Sequence, residues 1–330
     1  MNRWHWRFRN EDAKPKIKST PVPVGTQTTI KGLTANSPLT VDVLTTTVAT
    51  DLTNLAQGSS AVAYRYALKE LNPFAILGNN DLYAPHNQNR ELDLYNAADR
   101  PGNTGALTSE WITDRAAFLA WKNIANSNDV TALSSNQTTE MSRFIDLPQN
   151  LNLSVIPQGA GTPIDAQTRR LVFGGDSTDN VVGGAQSDRL YGGGGTDYLQ
   201  GKGGNDYLEG GTGLDIYEYN GRAGILTSGN DGNDVIRDID GKGVLRYVWN
   251  DNPRPTTTII ADASVKVSDT ERQSADGKFK YVEEGADLVI TMDGDDNAVE
   301  FTTGAIADAV FSFGTPPFAP AQSTSAASQV

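Results

Sequence analysis

Five aspartates, Asp179, Asp188, Asp197, Asp206 and Asp215, recur at intervals of nine residues, and Asp234 follows in the same local phrase. In register the chain reads GGDSTDNVV from Gly174, GGAQSDRLY from Gly183, GGGGTDYLQ from Gly192, GKGGNDYLE from Gly201 and GGTGLDIYE from Gly210. After ten intervening residues, GNDGNDVIR from Gly229 repeats the spacing. Position one is always glycine and position six always aspartate, which a plain Gly/Asp-rich linker has no reason to maintain. Carboxylates fixed at one place in every unit repel one another unless a cation lies between them. Turn carbonyls are at hand to complete a shell of about six to eight oxygens. Magnesium asks for a smaller, stricter octahedron and zinc for nitrogen or sulfur, and the five units contain neither His nor Cys. Calcium is the ion that fits.

The elements that must carry these aspartates follow from the rest of each unit. The first half is a tight turn, where glycine supplies positive φ and lets backbones approach closely. The second half is a short strand whose eighth position, Val181, Leu190, Leu199, Leu208 or Tyr217, faces one way while the seventh and ninth face the other. Such a strand buries nothing alone, so it must stack on copies of itself into a parallel solenoid, with aspartates of successive layers about 5 Å apart. The stack is only about 10 to 12 Å tall and needs caps at both ends. Residues 171–241 hold twelve acidic against four basic side chains, so 4 − 12 = −8 of the chain's net charge of −13 lies here. That balance favours a cationic partner and opposes generic binding of nucleic acid or anionic lipid.

The repeats resemble those of RTX, or hemolysin-type calcium-binding, proteins, whose signature is GGxGxDx(apolar)x. The resemblance implies a fold that is mainly β: a short parallel β-roll in which two nonapeptides make one turn, with calcium between turns on the same edge. Same-edge partners are then 18 residues apart, pairing Asp179 with Asp197, Asp188 with Asp206 and Asp197 with Asp215. About three calcium sites are expected, with Asp234 a candidate for another and turn backbone at Gly175, Gly184, Gly193, Gly195, Gly204, Gly211 and Gly213 completing the shells. Ser177 and Gln186 replace glycine at position four of the first two units, and Lys202 replaces it at position two of the fourth. The turns holding Asp197, Asp206 and Asp215 are therefore expected to be the best formed. The resemblance also implies a secreted, extracellular protein exported by type I secretion machinery. In agreement, the start MNRWHWRFRNEDAKPKIK lacks the apolar stretch of a cleaved signal. The phrase LNPFAILGNNDLYAPHNQNRELDLYN is similar to the region between hydrolase domain and repeats in some bacterial RTX lipase or esterase-like proteins. The chain then represents the C-terminal part of such a hemolysin- or lipase-like protein without its hydrolase domain.

The flanks divide accordingly. Residues 1–50 read as a basic leader and linker, 51–170 as a mixed helix and loop region, 171–243 as the roll, 244–313 as an antiparallel β cap and 314–330 as a disordered tail. Ser60 is placed to cap AVAYRYALKEL and Thr108 to cap SEWITDRAAFLAWKNIA, with Ile112, Ala116 and Leu119 along one apolar stripe. In the cap, TTTIIADASVKV and KFKYV flank an Asp276-Gly277 turn, and DLVITMD and NAVEFTT flank Asp293-Gly294. The DGDDN run lacks the glycine and glutamate of an EF-hand and reads as a solvated turn.

Other chemistries lack their residues. The 330-residue chain has no cysteine and two histidines, and no apolar run approaches the roughly 20 residues of a membrane-spanning helix. There is no GxSxG nucleophile elbow and no phosphate loop. His86, near Asp81, Glu91 and Asp93, is the single candidate general base, and no catalytic residue is assigned. The leading expectation is a calcium-triggered folding module. A hydrolase acting through residues 53–149 and a calcium-dependent adhesin stand as alternatives, with a host surface or membrane as the target the sequence leaves unnamed.

Overall fold

The computed structural model describes residues 28–29, 39–59, 61–96, 105–221, 232–240, 242–251, 254–259, 265–268, 270–275, 277, 279–284, 287–292 and 298–302. Residues 1–27 and 30–38 of the basic leader and linker, Ser60, Asp231, Asp276, the DGDDN turn and the tail lie outside them, whereas 28–29 and 39–50, read as linker, carry strands and the start of a helix. The described chain is mainly β, with its α-helices in its first half and parallel pairing through its centre.

The first elements are β1 (Thr28–Thr29), β2 (Thr40–Val43), α1 (Ala49–Gln57), α2 (Val62–Lys69), β3 (Phe74–Leu77) and α3 (Ser109–Asn128). β1, β2 and β3 form an antiparallel sheet. Thr108 caps α3 as its position demands, its Oγ1 accepting from the Trp111 N–H at 3.0 Å, and Ile112, Ala116, Phe118 and Leu119 are fully buried. The residue preceding α2 is Ala61, which offers no side-chain cap.

The region read as helix and loop also contains strands. β4 (Ala132–Ser135), β5 (Met141–Asp146) and β6 (Leu151–Pro157) lead into β7 (Thr168–Phe173), and β5 pairs with β7 in parallel. These strands are short and polar on one side, so their apolar runs gave no strong period.

The nonapeptides then supply β8 (Asn180–Val182), β9 (Arg189–Gly195), β10 (Tyr198–Gln200), β11 (Tyr207–Gly213) and β12 (Ile216–Gly221). They are followed by β13 (Asp234–Arg237) and β14 (Val244–Asp251). Consecutive strands fall in opposite sheets: β8, β10, β12 and β14 lie side by side in one, and β7, β9, β11 and β13 in the other. All these pairings are parallel, and the repeats are offset by 18 residues, as in Val181 opposite Leu199 and Leu190 opposite Leu208. Across the interruption the offset becomes 28, the usual 18 plus the ten inserted residues: Leu208 faces Ile236 and Tyr217 faces Leu245. The eighth positions form a core of their own between the sheets, with Val181, Leu190, Leu199, Leu208 and Tyr217 essentially inaccessible. The opposite face of β7 and β9 joins a second core with the helices. There Phe173 stacks on Tyr191 at 5.0 Å, and Phe118 and Trp111 pack on Phe173.

Two expectations downstream are corrected. Val244 does not open an antiparallel cap, because β14 continues the parallel stack against β12. With Gly243 where the repeat would place aspartate, the local pattern gave no sign of that continuation. The expected hairpin between TTTIIADASVKV and KFKYV is also re-paired. β15 (Arg254–Ile259) folds back on β14, while β16 (Val265–Lys266), β17 (Glu271–Gln273) and β18 (Phe279–Glu284) pair antiparallel in turn around Gly277. The second hairpin is present as β19 (Asp287–Met292) and β20 (Ala298–Thr302), and β20 runs parallel beside β13.

Candidate metal centre

The winding lines the sixth positions into two columns. One edge carries Arg170, Asp188, Asp206 and Asp234; the other carries Asp179, Asp197, Asp215 and then Gly243. Each carboxylate turns toward the preceding layer. Asp179 N–H donates to Asp197 Oδ1 at 2.8 Å, Asp197 N–H to Asp215 Oδ1 at 3.0 Å, Asp188 N–H to Asp206 Oδ1 at 2.6 Å and Asp206 N–H to Asp234 Oδ1 at 3.0 Å. The pairs expected 18 residues apart thus meet, and Asp234 meets Asp206 at 28. Asp188, Asp197, Asp206, Asp215 and Asp234 are buried, and Asp179, in the outermost layer of its column, is half-buried.

The second carboxylate oxygen separates the early units from the later ones. In the first two, Asp179 Oδ2 accepts from Gly175 N–H at 2.7 Å and Asp188 Oδ2 from Gly184 N–H. In the third and fifth, Asp197 Oδ2 and Asp215 Oδ2 are buried with no hydrogen-bond donor. The turn explains the difference. Gly193, Gly195, Gly204, Gly211 and Gly213, at positions two and four of the later units, all have positive φ, a conformation that Ser177 and Gln186 do not adopt. Lys202 takes the same left-handed conformation at φ 77°. Each Oδ2 lies over the bare Cα of position one: a Cβ on Gly192 would stand 2.5 Å from both Asp197 Oδ2 and the Gly210 carbonyl oxygen. Glycine at position one is therefore a requirement of close approach.

Burial raises the pKa of repeat aspartates, making them weaker acids. Desolvation, opposed by the Asp179 N–H and assisted by the Asp179 charge, lifts Asp197 to about 6. Desolvation again dominates at Asp215, where Asp197, Asp238 and Asp240 add like charge and the value reaches about 7. Burial also raises Asp188. A buried carboxylate oxygen without a donor is costly unless a proton or cation satisfies it. Among the described residues no three His, Cys, Asp or Glu side chains converge, so backbone oxygens must supply much of any shell. Carboxylate and carbonyl oxygen, without nitrogen or sulfur, suit a hard cation of calcium's size. The donor set fits the ion.

His86 lies apart from this centre. Its ring packs on Tyr66 at 4.7 Å, while Asp93 bonds Asn87 and Arg90, and Glu91 bonds Asn89. Among the described residues no hydrogen bond or ion pair joins His86 to a carboxylate.

The RTX calcium-binding nonapeptide repeat, in four copies, matches residues 173–208 and 191–221. These residues are repeats of the RTX type, and such repeats imply calcium binding. No curated protein matches the chain. The match covers the repeats alone, and nothing supports the likeness of the upstream segment to lipases. No helix among the described residues is long and apolar enough to cross a membrane.

Residues outside the predicted set also shape the centre. Glu209, at position nine, accepts from Thr108 Oγ1 at 2.8 Å and Tyr207 OH at 2.7 Å, tying the cap of α3 to the repeat sheet. Asp114 accepts from Tyr191 OH at 2.6 Å and pairs with Arg189. Asp238 stands beneath Asp215 in place of a repeat aspartate. Counting 28 from Asp215 reaches Gly243, and only the absence of aspartate there could have signalled a substitute.

Proposed function

We propose that the repeats form a calcium-dependent folding module: a parallel β-roll, closed downstream by antiparallel strands, that is weakly stable without calcium and rigid with it. The observation that carries this reading is the pair of buried oxygens, Asp197 Oδ2 and Asp215 Oδ2, that have no hydrogen-bond donor. Asp179, Asp188, Asp197, Asp206, Asp215 and Asp234 would hold about three or more ions, with carbonyls of the glycine turns. At a dissociation constant near 0.1 mM and calcium near 1 mM, each site adds about 1.4 kcal/mol. Three give about 4 kcal/mol, a large share of a domain's net stability. Proteins with RTX repeats are typically secreted. Export through type I machinery in an open, calcium-poor state, followed by folding outside the cell, is the setting in which this switch is useful.

The test is a calcium titration of the purified chain followed by far-UV circular dichroism, with magnesium as control. A cooperative gain of β signal between about 0.1 mM and several millimolar calcium is expected. No response to calcium overturns the reading.

A further inference from the structure

The column Asp179, Asp197, Asp215 ends on Gly243, which has no carboxylate to set beneath Asp215, although the backbone continues the stack with Val244 N–H donating to Asp215 O at 2.7 Å. The missing group comes from a neighbouring segment. Gly243 N–H donates to Asp238 Oδ2, and a Cβ on Gly243 would stand 2.3 Å from that oxygen, so the carboxylate occupies the space a sixth-position side chain would leave from. Tyr217 holds the segment there, its hydroxyl donating to Arg237 O at 3.3 Å and accepting from Gly210 N–H at 3.0 Å. Gly210 is also the glycine over which Asp215 Oδ2 lies, 2.3 Å from where a Cβ would be. That oxygen is buried with no donor, on a residue wholly inaccessible to solvent. Asp238 is itself 1% exposed. Asp240 closes the rim, accepting from Gly213 N–H at 2.9 Å and pairing with Lys242 at 2.9 Å. Two buried carboxylates in adjacent layers of the stack, one with an oxygen that has no donor, call for a cation.

We propose that Asp215 and Asp238, with backbone oxygens of the turns around them, form a further calcium site beyond the matched repeats, and that this ion fastens β14 onto the end of the stack. The proposal rests on the calcium reading of the repeats. Its consequence is that the last parallel strand, which lacks a repeat aspartate, is also under calcium control.

Calorimetric titration of the full chain at pH 8 gives the stoichiometry. Asp238→Asn is expected to bind about one calcium fewer per chain than wild type while reaching the same circular dichroism in saturating calcium. It should also lose the calcium-dependent hydrogen-exchange protection of Leu245 and Tyr247 amides. Unchanged stoichiometry and protection in Asp238→Asn overturn the site while leaving the repeat sites standing, whereas no uptake by wild type overturns both. Should Asp238→Asn not reach the wild-type spectrum, exchange in the wild-type chain decides. Protection of β14 gained together with calcium supports the site, and equal protection with chelator overturns it.

Discussion

The first two nonapeptides and the later ones carry the same aspartate in the same place, yet their carboxylates do different work. Asp179 and Asp188 are satisfied by the N–H of the second glycine in their own turn, so those turns are closed by the protein itself. Asp197 and Asp215 sit in turns whose second and fourth residues are left-handed, and their outer oxygens have no donor. The lesson is that the same aspartate leaves an oxygen open in one turn and satisfied in another. The turn must rotate its N–H groups away from the carboxylate, and glycine at positions two and four permits that rotation at no steric cost. Serine or glutamine at position four keeps the turn in ordinary backbone space.

The sharpest way to break this comparison is to remove a carboxylate from each class. Asp197→Ala damages two stacked pairs and is expected to cost about 3 kcal/mol of calcium-dependent stability, twice the per-site mass-action gain. Asp179→Ala, at the outer layer, should cost less than half as much. Urea unfolding in 1 mM calcium and in chelator measures both, and equal losses would erase the distinction between the turns.

Filling the cradle is expected to come next. Gly192→Ala drives a methyl against Asp197 Oδ2 and the Gly210 carbonyl and should destabilise the fold by about 2 kcal/mol. Gly161→Ala, with nothing within 4 Å, should stay within about 0.5 kcal/mol of wild type by thermal unfolding.

Protons should compete with calcium at the later turns. Asp197 and Asp215 are raised in the folded chain to about 6 and about 7 from an ordinary value of 3.8. The folded state therefore binds more protons than the unfolded state between those values. The stabilisation is full below about pH 4 and is lost as pH rises through 6 to 7. In chelator, the part of stability due to these two groups should be greater at pH 5 than at pH 8, by about 1 to 2 kcal/mol once relaxation of the open turns is allowed for. Calcium affinity should move the opposite way, weakening toward pH 5 and releasing protons on binding, as calorimetry in two buffers would show.

The smallest effect sharpens the role of the turn. Lys202 is held at φ 77° where its neighbours have glycine, so Lys202→Gly should stabilise the calcium-bound chain by about 0.5 to 1 kcal/mol. A loss of stability would show that the lysine side chain contributes more than its backbone strain costs.

Much of this centre was legible before folding. The preference for the Asp197, Asp206 and Asp215 turns followed from Ser177, Gln186 and the surrounding glycines, and among these Asp197 and Asp215 have outer oxygens buried without a donor. The capping of α3 by Thr108 was equally local. The partner of β14 was not legible, because its pairing crosses the interruption and the glycine at 243 hides the repeat. The strands β4, β5 and β6 were missed because short, half-exposed segments have little periodicity of their own.

The chain alone therefore determined the nine-residue spacing, the oxygen-only donors, the inward eighth position and the need for glycine at position one, all of which depend on residues within a single unit. Tertiary structure decided which carboxylate oxygens remain unsatisfied, how the stack resumes at an offset of 28, that Asp238 stands where no repeat aspartate exists, and that Glu209 reaches the cap of α3. Those depend on which backbone lies above and below, and a register between distant strands is set by packing of the whole stack, which no local pattern encodes.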